Sequence, residues 1–213
     1  RATGHMPLTV ASPRARTQSA CRHSATRAPR TGEHGHDQLH LHGLVRTQPG
    51  AVAAAIVTDR DRHDYNEFAP LLTEGAKTFT MAEVSADKAY IGRSNLAAVA
   101  AIGAEAFIPF KSNAKDDPKS PLWSKLFHLY HYRLDEFLPH YHKRSNSESA
   151  FSAMKHVFGE TLRSKMFESQ VNELLLKVIA YNIVCVIHSI FELGVTVPGL
   201  SATTQTAIAA HSM

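Results

Sequence analysis

From residue 51 onward the chain alternates between stretches of strand character and stretches of helical character, which restricts it to a layered α/β fold with some parallel pairing. Ala51 to Thr58 (AVAAAIVT) is a continuous apolar run with β-branched residues, the pattern of a buried strand. Residues 66–78 then place Phe68, Leu71, Leu72 and the adjoining Phe79 on one side of a helix. Ala82 to Ala86 (AEVSA) is a short strand, Arg93 to Ile102 an Ala-rich helix closed by Gly103, and Ala106 to Phe110 another short strand. Lys, Asn, Asp and Pro mark residues 111–120 as a loop. Helices are expected over about 121–137, 146–158 and 168–193, and the small, polar residues after Pro198 are expected to fray.

The N-terminal residues have a different composition. Residues 1–32 contain no Asp or Glu, and their cations are all arginines (Arg1, Arg14, Arg16, Arg22, Arg27, Arg30); the first lysine is Lys77. Without periodicity or apolar area to offset ordering entropy, this segment is expected to be disordered. It could be a basic arm touching phosphates, or an Arg-rich, acid-poor transit peptide, or out-of-frame sequence joined to a real domain. The abrupt change in cation usage favours the third, and the lack of a starting Met adds the expectation of a fragment. The organisation expected is therefore a disordered Arg-rich segment over 1–36, an α/β domain over 37–195 and a flexible tail over 196–213.

Several function classes lack local support. No glycine-rich phosphate loop and no Gly-x-Ser-x-Gly elbow occurs. The two cysteines, Cys21 and Cys185, form no Cys-x-x-Cys pair, which argues against a disulfide scaffold or a cysteine zinc site and fits a reducing compartment. A formal net charge of +4 leans only slightly toward a polyanionic partner. Leu174 to Phe191 is nearly long enough to cross a bilayer, but Lys177, Asn182 and His188 interrupt it, so a buried core helix is preferred to a membrane span. Residues 34–42 (HGHDQLHLH) hold four histidines. A metal site is one reading; the preferred one is a strand from Leu39 to Val45 with histidines on its polar face, because no cysteine or paired carboxylate supports the metal.

Two places carry chemistry. Asp87 directly follows a short apolar strand, at the carboxyl end where ligands gather in α/β sheets, although a turn or helix-capping Asp is common there too. The second is the stretch Tyr141, Arg144, Glu148, Lys155. In a helix starting near Ser145, Phe151, Met154 and Phe158 form the buried stripe, with Glu148 at its edge and Lys155 on the same face about 10 Å further on. Ser145-x-x-Glu148 is equally a capping box, with Lys155 an ordinary solvated lysine.

The spacing of Tyr141, Arg144, Glu148 and Lys155 resembles the Tyr-Arg-Glu-Lys signature of bacterial insertion-sequence transposases of the DDE type, and the SADKAY segment around Asp87 resembles that family's second-Asp region. The stretches DRDRHDYNEFAPLL and NELLLKVIAYNI extend the similarity to about two thirds of the chain. The resemblance implies a ribonuclease H-like mixed sheet with flanking helices, here truncated, and a helical C-terminal part. It implies Asp87 and Glu148 as catalytic acids and metal ligands for Mg2+ or Mn2+, and Tyr141, Arg144 and Lys155 as DNA contacts. The activity implied is metal-dependent hydrolysis at a transposon end followed by strand transfer. The implied partners are end and target DNA and a second copy of the chain, with no membrane, in the bacterial cytoplasm at the nucleoid.

The family's first Asp belongs on the first strand of the sheet, and residues 1–32 hold no acid. Asp37, Asp59, Asp61 and Asp64 match other positions, so the chain is expected to be inactive in transposition. The alternative is a non-catalytic remnant that binds DNA without sequence preference. A general ribonuclease H-type nuclease and a membrane-associated helical protein are the remaining contrasts.

Overall fold

The computed structural model describes residues 6–11, 14–17, 38–48, 50–59 and 62–192. Their centre is a long strand, β3 (Gln38–Arg46), with three partners. One edge pairs antiparallel with β4 (Val52–Asp59). The other pairs antiparallel with β1 (Met6–Ala11) beside Gly43 to Arg46, and with β2 (Arg14–Thr17) beside Gln38 to His40. β5 (Met81–Ala86) lies parallel to β1, β6 (Glu105–Phe107) parallel to β5, and the two-residue β7 (Thr161–Leu162) parallel to β2. Read across, the main strands run β4-β3-β1-β5-β6.

The helices are α1 (Asp64–Ala76), α2 (Arg93–Ala101), α3 (Pro121–Tyr132), α4 (Leu134–Tyr141), α5 (Ser145–Phe158) and α6 (Phe167–Glu192), with short 3₁₀ turns at Lys88–Tyr90 and His142–Arg144. The element order expected from residue 39 onward is the one observed, apart from β7. The single helix expected over 121–137 is two helices, because Arg133 leaves the helical region at φ −133° and ψ 52°. The strands β1 and β2 correct the expectation of a disordered segment at those residues. β1 alternates Met6, Leu8 and Val10 with Pro7, Thr9 and Ala11 over only six residues, and β2 (RART) carries no apolar alternation; what holds them is the backbone ladder, to β3 and β5 for β1 and to β3 and β7 for β2. The rest of segment 1–36 and the expected tail 196–213 lie outside the described residues.

Alternation along β3 divides the core in two. Leu44 faces α1 and joins Phe68, Leu71, Leu72 and Met81, whereas Leu39, Leu41 and Val45 face α5 and α6 and join Phe151, Met154 and Leu174. Gly43 sits on this second face, where the ring of Phe151 occupies the space a side chain would need. α5 is seated on the sheet through that contact, and each fully buried Phe or Met there contributes roughly 1.5–3 kcal/mol.

α6, expected as a buried core helix, is buried along one side only. Leu174, Val178, Tyr181 and Cys185 form one buried stripe, while Leu176, Ile179, Ile183 and Val186 remain exposed. By length and composition Phe167–Phe191 could cross a membrane, a test that core helices of soluble proteins also pass. Two of the polar residues that interrupt its apolar run fasten it to the sheet. The Asn182 side-chain amide donates to the Val52 carbonyl (2.9 Å) and accepts from the Val52 N–H (2.8 Å), acting as an extra strand partner for β4. Lys177 Nζ donates to the carbonyls of Gly159 (3.2 Å) and Thr161 (2.9 Å), beyond the end of α5.

Two stability changes follow. Gly43→Ala drives a methyl group into the Phe151 ring and costs about 1–3 kcal/mol, as overpacked cores do. Asn182→Ala leaves both Val52 backbone groups without their partner and costs about 1–3 kcal/mol. Urea unfolding monitored by circular dichroism measures both; a midpoint unchanged from the parent would contradict the contact concerned.

Candidate active site

The site grows from the alternation of β5. Val84 and Ala86 point into the core beside Phe68, while Glu83, Ser85 and the following Asp87 share the opposite face. All three residues of that face reach the turn between α4 and α5. Glu83, buried, accepts from His140 Nδ1 and Lys143 Nζ. The Ser85 hydroxyl donates to the His140 carbonyl at 2.9 Å. Asp87 Oδ2 accepts from Arg144 Nη1 at 3.4 Å. Strand periodicity thus lays the segment 140–144 along β5 and delivers Arg144 to the strand's carboxyl end.

Arg144 joins the two acids that the sequence singled out. The same Nη1 donates to Glu148 Oε1 at 2.7 Å, one helical turn further on. Its guanidinium lies 5.6 Å from the Tyr141 ring centroid, and Tyr141 in turn stacks on the fully buried Phe137. Burial works against the Arg144 charge, but Asp87, the Glu148 hydrogen bond and Tyr141 outweigh it and raise its affinity for the proton. The guanidinium is a fixed cation between two carboxylates.

Neither acid is engaged as a cap. Asp87 precedes the 3₁₀ turn Lys88–Tyr90, but its side chain makes no capping bond, and Tyr90 bonds instead to the Asp87 carbonyl at 2.9 Å. The capping box of Ser145 and Glu148 does not form, because Tyr141, Arg144 and Ser145 are all in the right-handed helical region and the chain enters α5 already coiled. Ser145 Oγ donates to the His142 carbonyl at 2.9 Å. The Asp87 and Glu148 side chains are about half exposed, at 49% and 57%. Lys155 pairs with Glu160 at 3.7 Å, at the far end of α5.

Asp87, Glu148, Arg144 and Tyr141 are therefore brought together, and Lys155 takes a partner of its own. Glu83, His140 and Lys143 were not among the residues the sequence singled out. The alternation in Met81–Ala86 could have flagged Glu83 as a buried acid in need of partners, but nothing local identifies those partners.

Two half-exposed carboxylates on one cationic nitrogen suit one side of a hard-cation site. The sequences of β1 (MPLTVA) and β2 (RART) contain no acid to complete it. The register sets Val10 beside Ala86, so the backbone of β1 ends next to Asp87.

A family model described as a transposase DDE domain matches residues 14–183. No curated protein and no solved structure matches the chain.

If Arg144 holds the cation position between the acids, removing it frees that position for a metal. Arg144→Ala should tighten Mn2+ binding about thirtyfold, the factor expected for losing the roughly 2 kcal/mol repulsion between one unit charge and a dication near 4 Å in a solvated setting. A Mn2+ titration followed by electron paramagnetic resonance reads this directly, and weaker or unchanged binding would count against the arrangement.

Proposed function

Because the chain belongs to the transposase DDE domain family, we propose that Asp87 and Glu148 are the second and third acids of the family's triad and that this chain lacks the first. The observation that carries the proposal is the meeting of both acids at Arg144, at the carboxyl end of β5, beside a strand whose sequence holds no carboxylate. The β4-β3-β1-β5-β6 order, with β3 antiparallel to its neighbours, supports the ribonuclease H-like reading of the sheet. The Tyr141, Arg144, Glu148, Lys155 spacing supports the Tyr-Arg-Glu-Lys group.

The family's chemistry is displacement at a DNA phosphodiester, and divalent ions such as Mg2+ supply charge stabilisation on the attacking and leaving oxygens when bound. In this chain Asp87 and Glu148 would hold such an ion through hard oxygen donors. Arg144, on its Tyr141 platform, orients both carboxylates. It is also the group suited to grip a phosphate in two-pronged fashion once DNA displaces one acid. Lys155, paired with Glu160 at the other end of α5, would contribute to DNA affinity only after exchanging that partner for a phosphate. DNA as partner carries with it a place at the bacterial nucleoid.

Two carboxylates without the third leave an ion loosely held, so strand cleavage is expected to be absent. The test is incubation with end-containing DNA and Mg2+ or Mn2+, with products resolved on a denaturing gel. Efficient cleavage that disappears in Asp87→Ala would overturn the reading. A non-catalytic DNA-binding role predicts instead no cleavage but affinity that falls steeply with salt and shows little sequence preference.

A further inference from the structure

The histidines of β3 do not sit on a solvated face. His40 is 6% exposed and His42 not at all, and with Leu44 they alternate onto the side of the strand that packs against α1. At the start of α1, Asp64 turns its carboxylate toward them, with Oδ1 lying 3.7 Å from His40 Nδ1 and 3.9 Å from His42 Nδ1. Those distances are too long for hydrogen bonds. Both His40 ring nitrogens and His42 Nδ1 are buried without a hydrogen-bond partner. Buried polar atoms left this way are uncommon and need an account.

We propose that His40, His42 and Asp64 form a binding site for a zinc-class transition-metal ion, separate from Asp87 and Glu148. One donor atom from each residue lies within 4.8 Å of the others. A tetrahedral ion held at about 2.0 Å brings its ligand atoms to about 3.3 Å apart, so the side chains need only close inward modestly. Two imidazoles and one carboxylate suit Zn2+ or a neighbouring first-row ion and do not suit Mg2+, which prefers an all-oxygen shell. The second requirement of such a site is also met. His42 Nε2 lies 2.9 Å from the buried hydroxyl of Thr58 on β4, which fixes the ring and leaves Nδ1 facing Asp64. Asp64 is 38% exposed, so the ion has a way in and room for a water as fourth ligand. Glu67, buried one turn along α1 and paired with Arg62 at 3.0 Å, adds negative charge nearby. The ion would pin the first turn of α1, whose N-cap makes no side-chain capping bond, onto β3.

This site is distinct from the acids at Arg144. Glu148 stands on α5, which packs on the opposite face of β3 through Phe151. The proposal does not depend on the reading of Asp87 and Glu148. The test uses the full chain stripped with a chelator, in a background carrying Asp87→Asn and Glu148→Gln so that those acids contribute nothing. Titration with Co2+ should give visible absorption bands saturating at one equivalent. Zn2+ should displace the Co2+ and raise the thermal midpoint, and equimolar Mg2+ should leave the bands unchanged. Asp64→Asn, at a partly exposed position where the fold is not at stake, should weaken binding at least tenfold, and Thr58→Val by about 10–100-fold. Absence of Co2+ and Zn2+ binding, affinity indifferent to Asp64→Asn, or displacement by equimolar Mg2+ would each overturn the proposal.

Discussion

The arrangement of this domain depends on the polar face of β5. Glu83, Ser85 and Asp87 alternate along one side of the strand, and each bonds to the segment His140 to Arg144. No hydrophobic contact could set this register so sharply, because apolar packing is non-directional whereas each of these bonds fixes a distance and an angle. The buried Glu83 carboxylate makes the fastening obligatory. Without His140 and Lys143 it would be an uncompensated charge inside the protein.

A second contact completes the placement. Phe151 rests where Gly43 has no side chain, seating α5 on β3 at the one position along the strand that admits a ring. Glu148 lies one turn before Phe151 and Arg144 one turn before Glu148, so the helix carries both to the end of β5. The opposite face of β3 has its own polar group, His40 and His42 with Asp64. One strand therefore separates two clusters of different donor chemistry, a pair of exposed carboxylates around a guanidinium and a pair of buried imidazoles beside one carboxylate.

The elements from β3 onward were legible because their periodicities are strong, and the boundaries of α1, α2 and α5 differ from expectation by a residue or two. β1 and β2 were not legible. The alternation of Met6, Leu8 and Val10 is short and interrupted by Pro7, RART has none, and the strand form of both comes from pairing with β3, β5 and β7 across large sequence separations. Asp87, Arg144 and Glu148 were found by type and spacing. Local chemistry left Glu148 evenly between cap and ligand and favoured a turn or cap for Asp87; the structure removes the cap at Glu148, because α5 continues an existing coil and has no fresh N-terminus to cap. The histidines were read as solvent-facing because alternation indicates which residues share a face but not what covers that face.

The sequence by itself determined the family, the alternating α/β order and the absence of an acid before Glu33, since these are properties of residue identity and short-range period. Only the tertiary structure decided that Arg144 stands between Asp87 and Glu148, that Glu83 needs His140 and Lys143, and that Asp64 meets His40 and His42. These are contacts between side chains whose separation in sequence carries no information about their separation in space. They are possible because the strand ladder and two buried helix faces hold the backbones at the spacing the polar groups need.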